Sequence, residues 1–209
     1  MYAKLLEGPL FYNFWSSFHF TPRFRALKEG LGLHSNPRIL DLGCGTGLFK
    51  KYFPVCDYFG IDNNPRYIEY AKQKLPGKFI LGDILDLNKY IPNHTFDYII
   101  LNGVLHHMDN TNATHLVKTL SSFLNPSGRI LVVDHIFSQE LNPINKMLLR
   151  FDRGSFSRTE TAYLTLFEQF TVATCKQFFI RMGPLVLWTQ GLFILKCPLS
   201  LMKKQEAQQ

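Results

Sequence analysis

The chain has 209 residues, of which 46% are hydrophobic and 19% charged, with a formal net charge of +7. This length allows one large hydrophobic core and is short for two, so we expect a single domain. The basic residues are scattered without a long run, which favours a solvated surface over a nucleic-acid-binding arm, and the cysteines show no C-x-x-C pair or zinc-finger spacing, which argues against a structural metal.

The N-terminal segment, residues 1–35, contains the aromatic stretch "FYNFWSSFHF" at 11–20. It lacks the basic start and uninterrupted apolar run of an export signal, because Glu7, Asn13 and Ser16 interrupt it. We therefore expect a cytoplasmic protein whose thiols are free in a reducing compartment.

Between residues 36 and 137, short apolar runs that indicate buried strands alternate with amphipathic helical patterns. The predicted strands are "RIL" at 38–40, "YFGID" at 58–62, "KFILGDI" at 78–84, "FDYIILN" at 96–102 and "RILVVDHIF" at 129–137. The predicted helices are "LFKKYF" at 48–53, "NPRYIEYAKQKL" at 64–75 and "ATHLVKTLSSFL" at 113–124. This alternation predicts a doubly wound α/β fold with a parallel sheet and helices on both faces.

The alternation ends after residue 137, and residues 138–200 are predicted to form a substrate-side insertion and the C-terminal strands. A helix is expected from Ser157, which stands in capping-box order with Glu160. The segments "FTVATCKQFFIR" and "GLFILKC", joined by a connection that contains Gly-Pro, predict a hairpin of two strands at the sheet edge. The polar tail, residues 201–209, is predicted to be disordered.

Polar side chains occur at or just after the predicted ends of the strands. They are Asp41, Asp62, Asp83, Asn102 and Asp134. The carboxyl ends of parallel strands share one edge of the sheet, where α/β proteins bind ligands near the point at which strand order reverses. We therefore expect these side chains to converge on one crevice.

Three glycines at alternate positions follow the first strand in "RILDLGCGTGLF". Leu48 stands where the dinucleotide fingerprint G-x-G-x-x-G needs its third glycine, so the spacing disfavours a dehydrogenase. The bare turn still lets a ligand lie against the backbone. Asp62, at the end of the second strand, is placed to accept hydrogen bonds from ribose hydroxyls, so adenosine without a diphosphate fits both features.

Five segments, taken together and in this order, resemble class I S-adenosylmethionine-dependent methyltransferases, and most of all their small-molecule branch. They are "ILDLGCGTG", "GIDNNPRYIEYAKQ", "GDILDL", "FDYIILNGVLHHMDN" and "LNPSGRILVVDH". The resemblance covers roughly residues 36–137, the predicted cofactor-binding core. It implies a seven-stranded Rossmann-like sheet whose last strand is antiparallel, with S-adenosylmethionine as cofactor and S-adenosylhomocysteine as its product.

The resemblance also assigns residues to the methionine part of the cofactor and to the methyl group. Their positions are Asp41, Gly43, Cys44, Gly45, Asn102 and Gly103. Asp41 is implied to hold the amino group, and the last two form the floor near the methyl group. The family carries a helix over the site at its N-terminus, so residues 1–35 are expected to form a helical cap. In this cap Tyr12 is expected to bind the carboxylate, and Phe11 or Trp15 to face the sulfonium or an apolar acceptor. The alternative is that these aromatic rings only pack the helix on the core.

On the adenosine side, the resemblance implies that Asp62 binds the ribose hydroxyls and that Asn63 flanks the adenine. Asp83 is expected to accept from the adenine amino group, with the Ile84 amide beside it. Taken alone, Asp41 and Asp83 are as readily explained as caps of a turn or helix.

His106 and His107 follow the fourth strand and are the candidates for a general base or for orienting the acceptor, with His107 ranked first. The alternative is that one of them caps the next helix while the other packs in the crevice. Asp134 and His135, after the fifth strand, form a second pair facing the same region, in which Asp134 either orients a histidine or binds a loop amide.

The aromatic N-terminus together with "LWTQGLF" and "FDRGSF" predicts a small acceptor that is apolar or lipid-like, with quinone-like and polyketide-like molecules as further options. "NGVL" occupies the place where DNA amino-methylating enzymes carry [DN]-P-P-[FYW], which disfavours a nucleic-acid substrate. A protein methyltransferase and a non-catalytic cofactor-binding partner subunit stay open as alternatives. Peripheral membrane contact and the oligomeric state are left open as well.

Overall fold

The computed structural model describes residues 8–32, 35–137, 156–182 and 185–197. Within these ranges the strands are β1 Arg38–Leu42, β2 Asp57–Asp62, β3 Lys78–Leu81, β4 Phe96–Asn102, β5 Leu124–His135, β6 Thr171–Met182 and β7 Leu185–Lys196. The α-helices are α1 Pro9–Gly30, α2 Pro65–Lys74, α3 Leu87–Tyr90, α4 Asn110–Leu120 and α5 Glu160–Leu166. Short 3-10 helices cover Leu48–Tyr52, Ile84–Asp86, Leu105–His107 and Ser121–Phe123.

The strands form one sheet in the order β3-β2-β1-β4-β5-β7-β6. The first five strands are parallel, whereas β7 is antiparallel to both β5 and β6. The seven-stranded sheet and the C-terminal hairpin at its edge confirm the predicted fold class. Strand order reverses between β1 and β4, so the segments that follow these two strands flank the predicted crevice.

Apolar residues on alternate positions of the strands supply a hydrophobic core on each face of the sheet. On one face, Ile39 and Leu131 pack with Leu27 of α1 and Ile68 of α2. On the other face, apolar residues of the strands pack with α4 and α5. Helices therefore cover both faces, as the alternating pattern predicted.

Helix α1 occupies residues 9–30 of the segment predicted as a helical cap. Its last residue is packed tightly against the sheet, because a Cβ on Gly30 would lie 2.3 Å from Leu131 Cδ2 in the core. No helix in the described ranges is long and apolar enough to cross a membrane. The division of the chain into one domain with the four predicted regions stays a prediction.

Several local predictions were wrong in detail. The segment 48–53 forms a 3-10 helix that ends at Tyr52, and the proline at 54 explains this ending because it disfavours helical geometry in the residue before it. Strand β3 ends at Leu81 rather than reaching Asp83. Thr159, not Ser157, caps α5 by accepting the Ala162 N–H at 3.2 Å. The helix predicted at 113–124 ends before Leu124, where β5 begins, so this strand starts earlier than the predicted residue 129.

Candidate active site at the carboxyl edge of the sheet

The glycine turn after β1 has a backbone that other residues adopt only with strain. Gly43, Gly45 and Gly47 have φ values of 68°, 56° and 75°, in the left-handed region. The N–H groups of Gly43 and Cys44 donate to the Ile61 carbonyl at 2.8 and 3.1 Å, which fixes the turn to β2. The Cys44 side chain is buried against Gly60, so this residue can offer a ligand only its backbone.

Asp62 lies at the end of β2 beside this turn. Its carboxylate accepts the N–H of Gly45 and the N–H of Asn64, each at 2.8 Å. Burial raises the pKa of Asp62, and the two backbone donors offset part of that rise. The half-buried carboxylate thus both braces the glycine turn and places acceptor oxygens at the edge of the sheet.

The beginning of α1 lies over the same turn. A Cβ on Gly45 would be 2.5 Å from Tyr12 Oη, so only glycine leaves room for that hydroxyl. The Tyr12 ring packs on Tyr67 with 4.6 Å between centroids, and Asn13 and Thr46 share a side-chain hydrogen bond of 2.5 Å. The structure therefore brings Tyr12 to the glycine turn.

Asp41 is buried within β1, with 1% of its surface exposed. The hydroxyl of Tyr58, from β2, donates to its carboxyl. Burial raises the pKa of Asp41 to about 7, against the lowering effect of that hydrogen bond. The described contact of this side chain is thus with Tyr58, and its predicted contact with an amino group stays a prediction.

The residues predicted around the adenine follow β2 and β3. Asn63 is exposed, and Ile84 is buried at the start of a 3-10 helix. Asp83 is exposed and accepts the Leu85 N–H at 3.0 Å, so it also serves as the cap that was kept as an alternative.

Asn102 and Gly103 end β4. Asn102 Oδ1 is buried without a hydrogen-bond partner among the described residues, an arrangement that is rare unless a ligand or water supplies a donor. Gly103 has φ 66°, and a Cβ there would lie 3.0 Å from Arg23 Nη1 and 3.6 Å from His106 Cε1. The structure thus places the predicted floor next to a histidine and an arginine.

His106 and Asp134 form a buried pair, with 3% and 0% of their surfaces exposed. His106 Nδ1 lies 2.5 Å from Asp134 Oδ1. Burial alone would raise the pKa of Asp134, but the nearby imidazoles of His106 and His135 and the backbone donors hold it well below its usual range. The ionised carboxylate therefore accepts the Nδ1–H of His106, and this hydrogen bond fixes the ring with Nδ1 facing Asp134.

His107 is exposed, and its ring centroid lies 4.0 Å from that of His106. His135 is buried, with Nδ1 2.7 Å from Gln190 Nε2 on β7. Of the predicted second pair, Asp134 orients His106, while His135 packs edge-on against His106 at 4.7 Å between centroids.

The predicted apolar acceptor pocket is described only in part. Trp188 is buried, and its ring centroid lies 6.3 Å from that of His135. Residues 151–155 and the side chains of Phe11 and Trp15 lie outside the described residues. Among the residues that are described, no cluster of three or more His, Cys, Asp or Glu has the arrangement of a metal site.

Sequence patterns missed three contributors to this region. Arg158 donates to the backbone around His106 from the segment before α5, and Arg23 of α1 donates from Nε to Gln190 Oε1 at 3.2 Å. Tyr58 binds Asp41 from the middle of β2. Each of these residues contacts a partner that is distant in the sequence, so no local motif signals the contact.

A sheet of this order, with a glycine turn after β1 and a carboxylate at the end of β2, defines the chain as a class I S-adenosylmethionine-dependent methyltransferase fold. The chain belongs to the family described as "Methyltransferase domain", which matches residues 33–176. This confirms the resemblance found in its motifs.

Three curated relatives match this chain over about half of its length, at 30–33% identity. Malonyl-[acyl-carrier protein] O-methyltransferase from Halalkalibacterium halodurans is 33% identical over 102 residues, which cover 44% of this chain and 37% of that protein. The chain spans about half the length of the curated relatives it matches.

Two solved structures with bound S-adenosylhomocysteine share the fold. The N-methyltransferase NodS from Bradyrhizobium japonicum WM9 has a TM-score of 0.67 and 22% identity, covering 87% of this chain and 88% of that one. Magnesium protoporphyrin IX methyltransferase from Synechocystis PCC 6803 has a TM-score of 0.67 and 16% identity, covering 86% and 84%.

Proposed function

We propose that the protein transfers a methyl group from S-adenosylmethionine to a small-molecule acceptor. The observation that carries this proposal is the buried, unpartnered Oδ1 of Asn102 at the end of β4, beside the switch point of the sheet. The amino group of S-adenosylmethionine is a cationic donor, and the buried amide oxygen is an acceptor for it beside the predicted floor, in addition to the contact expected from Asp41.

The other predicted cofactor residues fit the same ligand. Ribose hydroxyls and the adenine amino group are donors. Asp62 presents carboxylate oxygens at the end of β2, and Asp83 presents them at the cap of the 3-10 helix that follows β3. The turn from Gly43 to Gly45 offers backbone without side chains, so the methionine part can lie against it. Tyr12 adds a hydroxyl at the same place.

When bound, S-adenosylmethionine supplies a methyl group on a sulfonium, which an acceptor takes in an in-line displacement. The residues of the chain contribute alignment and, for an acceptor with an acidic hydrogen, a base. His106 is better placed for that role than His107, because Asp134 fixes its tautomer and the Cε1 side of its ring approaches the predicted floor at Gly103.

We further propose that His107, exposed and adjacent, orients the acceptor. An apolar acceptor is supported by Phe137 and Phe156, which are exposed by 43% and 44%. The N–H of Phe156 donates to the His106 carbonyl at 3.0 Å, so this exposed ring is attached directly to the turn that carries the histidines.

The test incubates the purified protein with methyl-labelled S-adenosylmethionine and an extract of the source cells, then separates lipid-soluble, water-soluble, protein and nucleic-acid fractions. Label in a small-molecule fraction that disappears in His106→Gln supports the proposal, and label in the lipid-soluble fraction supports an apolar acceptor. Label in protein would instead establish a protein methyltransferase. Calorimetric binding of S-adenosylhomocysteine without label in any fraction would favour the partner subunit.

A further inference from the structure

The turn that carries the two histidines has little support of its own. It is a 3-10 helix of three residues, Leu105–His107, and its internal hydrogen bonds are His107 N–H to the Val104 carbonyl at 3.0 Å and Met108 N–H to the Leu105 carbonyl at 3.2 Å. So short a helix leaves backbone groups at both ends that other parts of the protein must satisfy.

Asp134 satisfies the N-terminal end of the turn. Its Oδ2 accepts the N–H of Leu105 at 2.7 Å and the N–H of His106 at 3.3 Å, while its Oδ1 holds the imidazole. This one carboxylate thus fixes both the ring of His106 and the backbone next to it. Of the carbonyls around the turn, that of Leu105 accepts the Met108 N–H at 3.2 Å, and side-chain donors add to this support.

Arg158 supplies the side-chain donors. Its Nη1 donates to the Leu105 carbonyl at 2.6 Å and its Nη2 to the Met108 carbonyl at 2.7 Å, so the guanidinium spans the turn from one side of the histidine pair to the other. The same group donates from Nε to Asn110 Oδ1 at 2.9 Å and from Nη1 to the Phe156 carbonyl at 3.2 Å. Only 6% of the arginine surface is exposed.

The backbone around Arg158 is attached to the same place. The Phe156 N–H donates to the His106 carbonyl at 3.0 Å, and the Arg158 carbonyl accepts the N–H of Phe137 at 2.8 Å. Ile136 and Arg158 form a parallel bridge immediately after β5. The segment before α5 therefore lies against both the histidine turn and the end of β5.

We infer that Arg158 is a positioning residue for methyl transfer, which holds the turn so that His106 stays on Asp134. The inference rests on the proposed function for the role of His106. Arginine suits this role because its planar guanidinium carries separate N–H groups for the Leu105 and Met108 carbonyls, whereas a lysine has one ammonium nitrogen for both. A purely structural arginine would affect folding alone and leave the histidine unchanged in the folded protein.

The test compares Arg158→Lys with Arg129→Lys. Arg129 is a matched control because it also donates to a backbone carbonyl, that of Gly30 at 2.9 Å, away from the histidines. In histidine-labelled protein, nuclear magnetic resonance follows the deshielded Nδ1–H proton of His106, assigned with His106→Gln. Arg158→Lys is expected to lose or shift this signal and to lower turnover at least about tenfold while the KM for S-adenosylmethionine changes less than about threefold. Arg129→Lys should change neither.

An unaltered His106 signal and turnover in folded Arg158→Lys would overturn the inference. If that variant does not fold, Asn110→Ala removes only the exposed acceptor of Nε and should weaken the same signal; no change there would count equally against the inference. If the wild type binds no S-adenosylhomocysteine, the proposed function fails, whereas the resonance of His106 still decides whether Arg158 positions it.

Discussion

Replacing Asp62 by asparagine should weaken the binding of S-adenosylhomocysteine by a factor of about 10 to 150. The estimate takes the loss of a hydrogen bond to a charged acceptor as about 1.5–3 kcal/mol, converted at about 1.4 kcal/mol for each tenfold change. The structure adds a second effect, because the carboxylate also accepts the N–H groups of Gly45 and Asn64. An amide can accept only with one of its two terminal atoms, so the variant keeps only one of these two bonds and the fold loses about 1–3 kcal/mol.

Isothermal calorimetry at a temperature where the variant is fully folded separates the two effects. Asn64→Ala is the matched control, since Asn64 caps α2 by accepting the Arg66 N–H at 3.0 Å and its loss costs about 1 kcal/mol of stability without removing the carboxylate. This control should melt earlier than the wild type and bind S-adenosylhomocysteine as tightly. Equal affinity of Asp62→Asn and the wild type, or an equal loss in both variants, would refute the placement of the ribose at Asp62.

Two further predictions concern the same edge of the sheet. Gly45→Ala should destabilise the protein by at least about 1–2 kcal/mol, because alanine adopts the left-handed backbone at this cost. The close approach of Tyr12 adds to this loss. Thermal unfolding should show the reduced stability, and calorimetry should show a reduced affinity for the cofactor. Burial raises the pKa of Asp41 to about 7 in the folded state. The folded protein therefore binds more protons than the unfolded protein between about pH 4 and 7. As a result, the free energy of unfolding falls as the pH rises through that range. Asp41→Asn keeps an acceptor for Tyr58 and should reduce this fall in urea titrations at pH 5 and 8; an identical fall in variant and wild type would show that Asp41 does not cause it.

Much of this fold was readable because burial on both faces gives each central strand a continuous apolar run. Two examples are the run Tyr98–Leu101 in β4 and the run at 130–133 in β5. An apolar run this short, rich in β-branched and aromatic residues, is typical of a buried strand. The ends of elements were less predictable, because a single proline or a left-handed glycine decides them. Leu48–Tyr52 shows this, since its apolar spacing is helical while Gly47 and Pro54 restrict it to little more than one turn.

The site was predictable as a set of strand-end residues but not as a set of contacts. The pattern "LHH" could not decide which histidine meets Asp134, because neighbours in a turn point in different directions and only the tertiary fold buries one of them. The contact between Tyr58 and Asp41 is equally invisible in the sequence, as it depends on the register of β1 with β2.

The histidine turn is supported by two charged side chains from different parts of the chain. A 3-10 helix of three residues exposes N–H groups at one end and carbonyls at the other, and opposite charges stabilise the two ends. Asp134 supplies the negative charge from within the sheet, next to the N–H groups of Leu105 and His106. Arg158, in the segment before α5, supplies the positive charge next to the carbonyls of Leu105 and Met108, so the C-terminal part of the chain completes a site whose motifs all lie before residue 137.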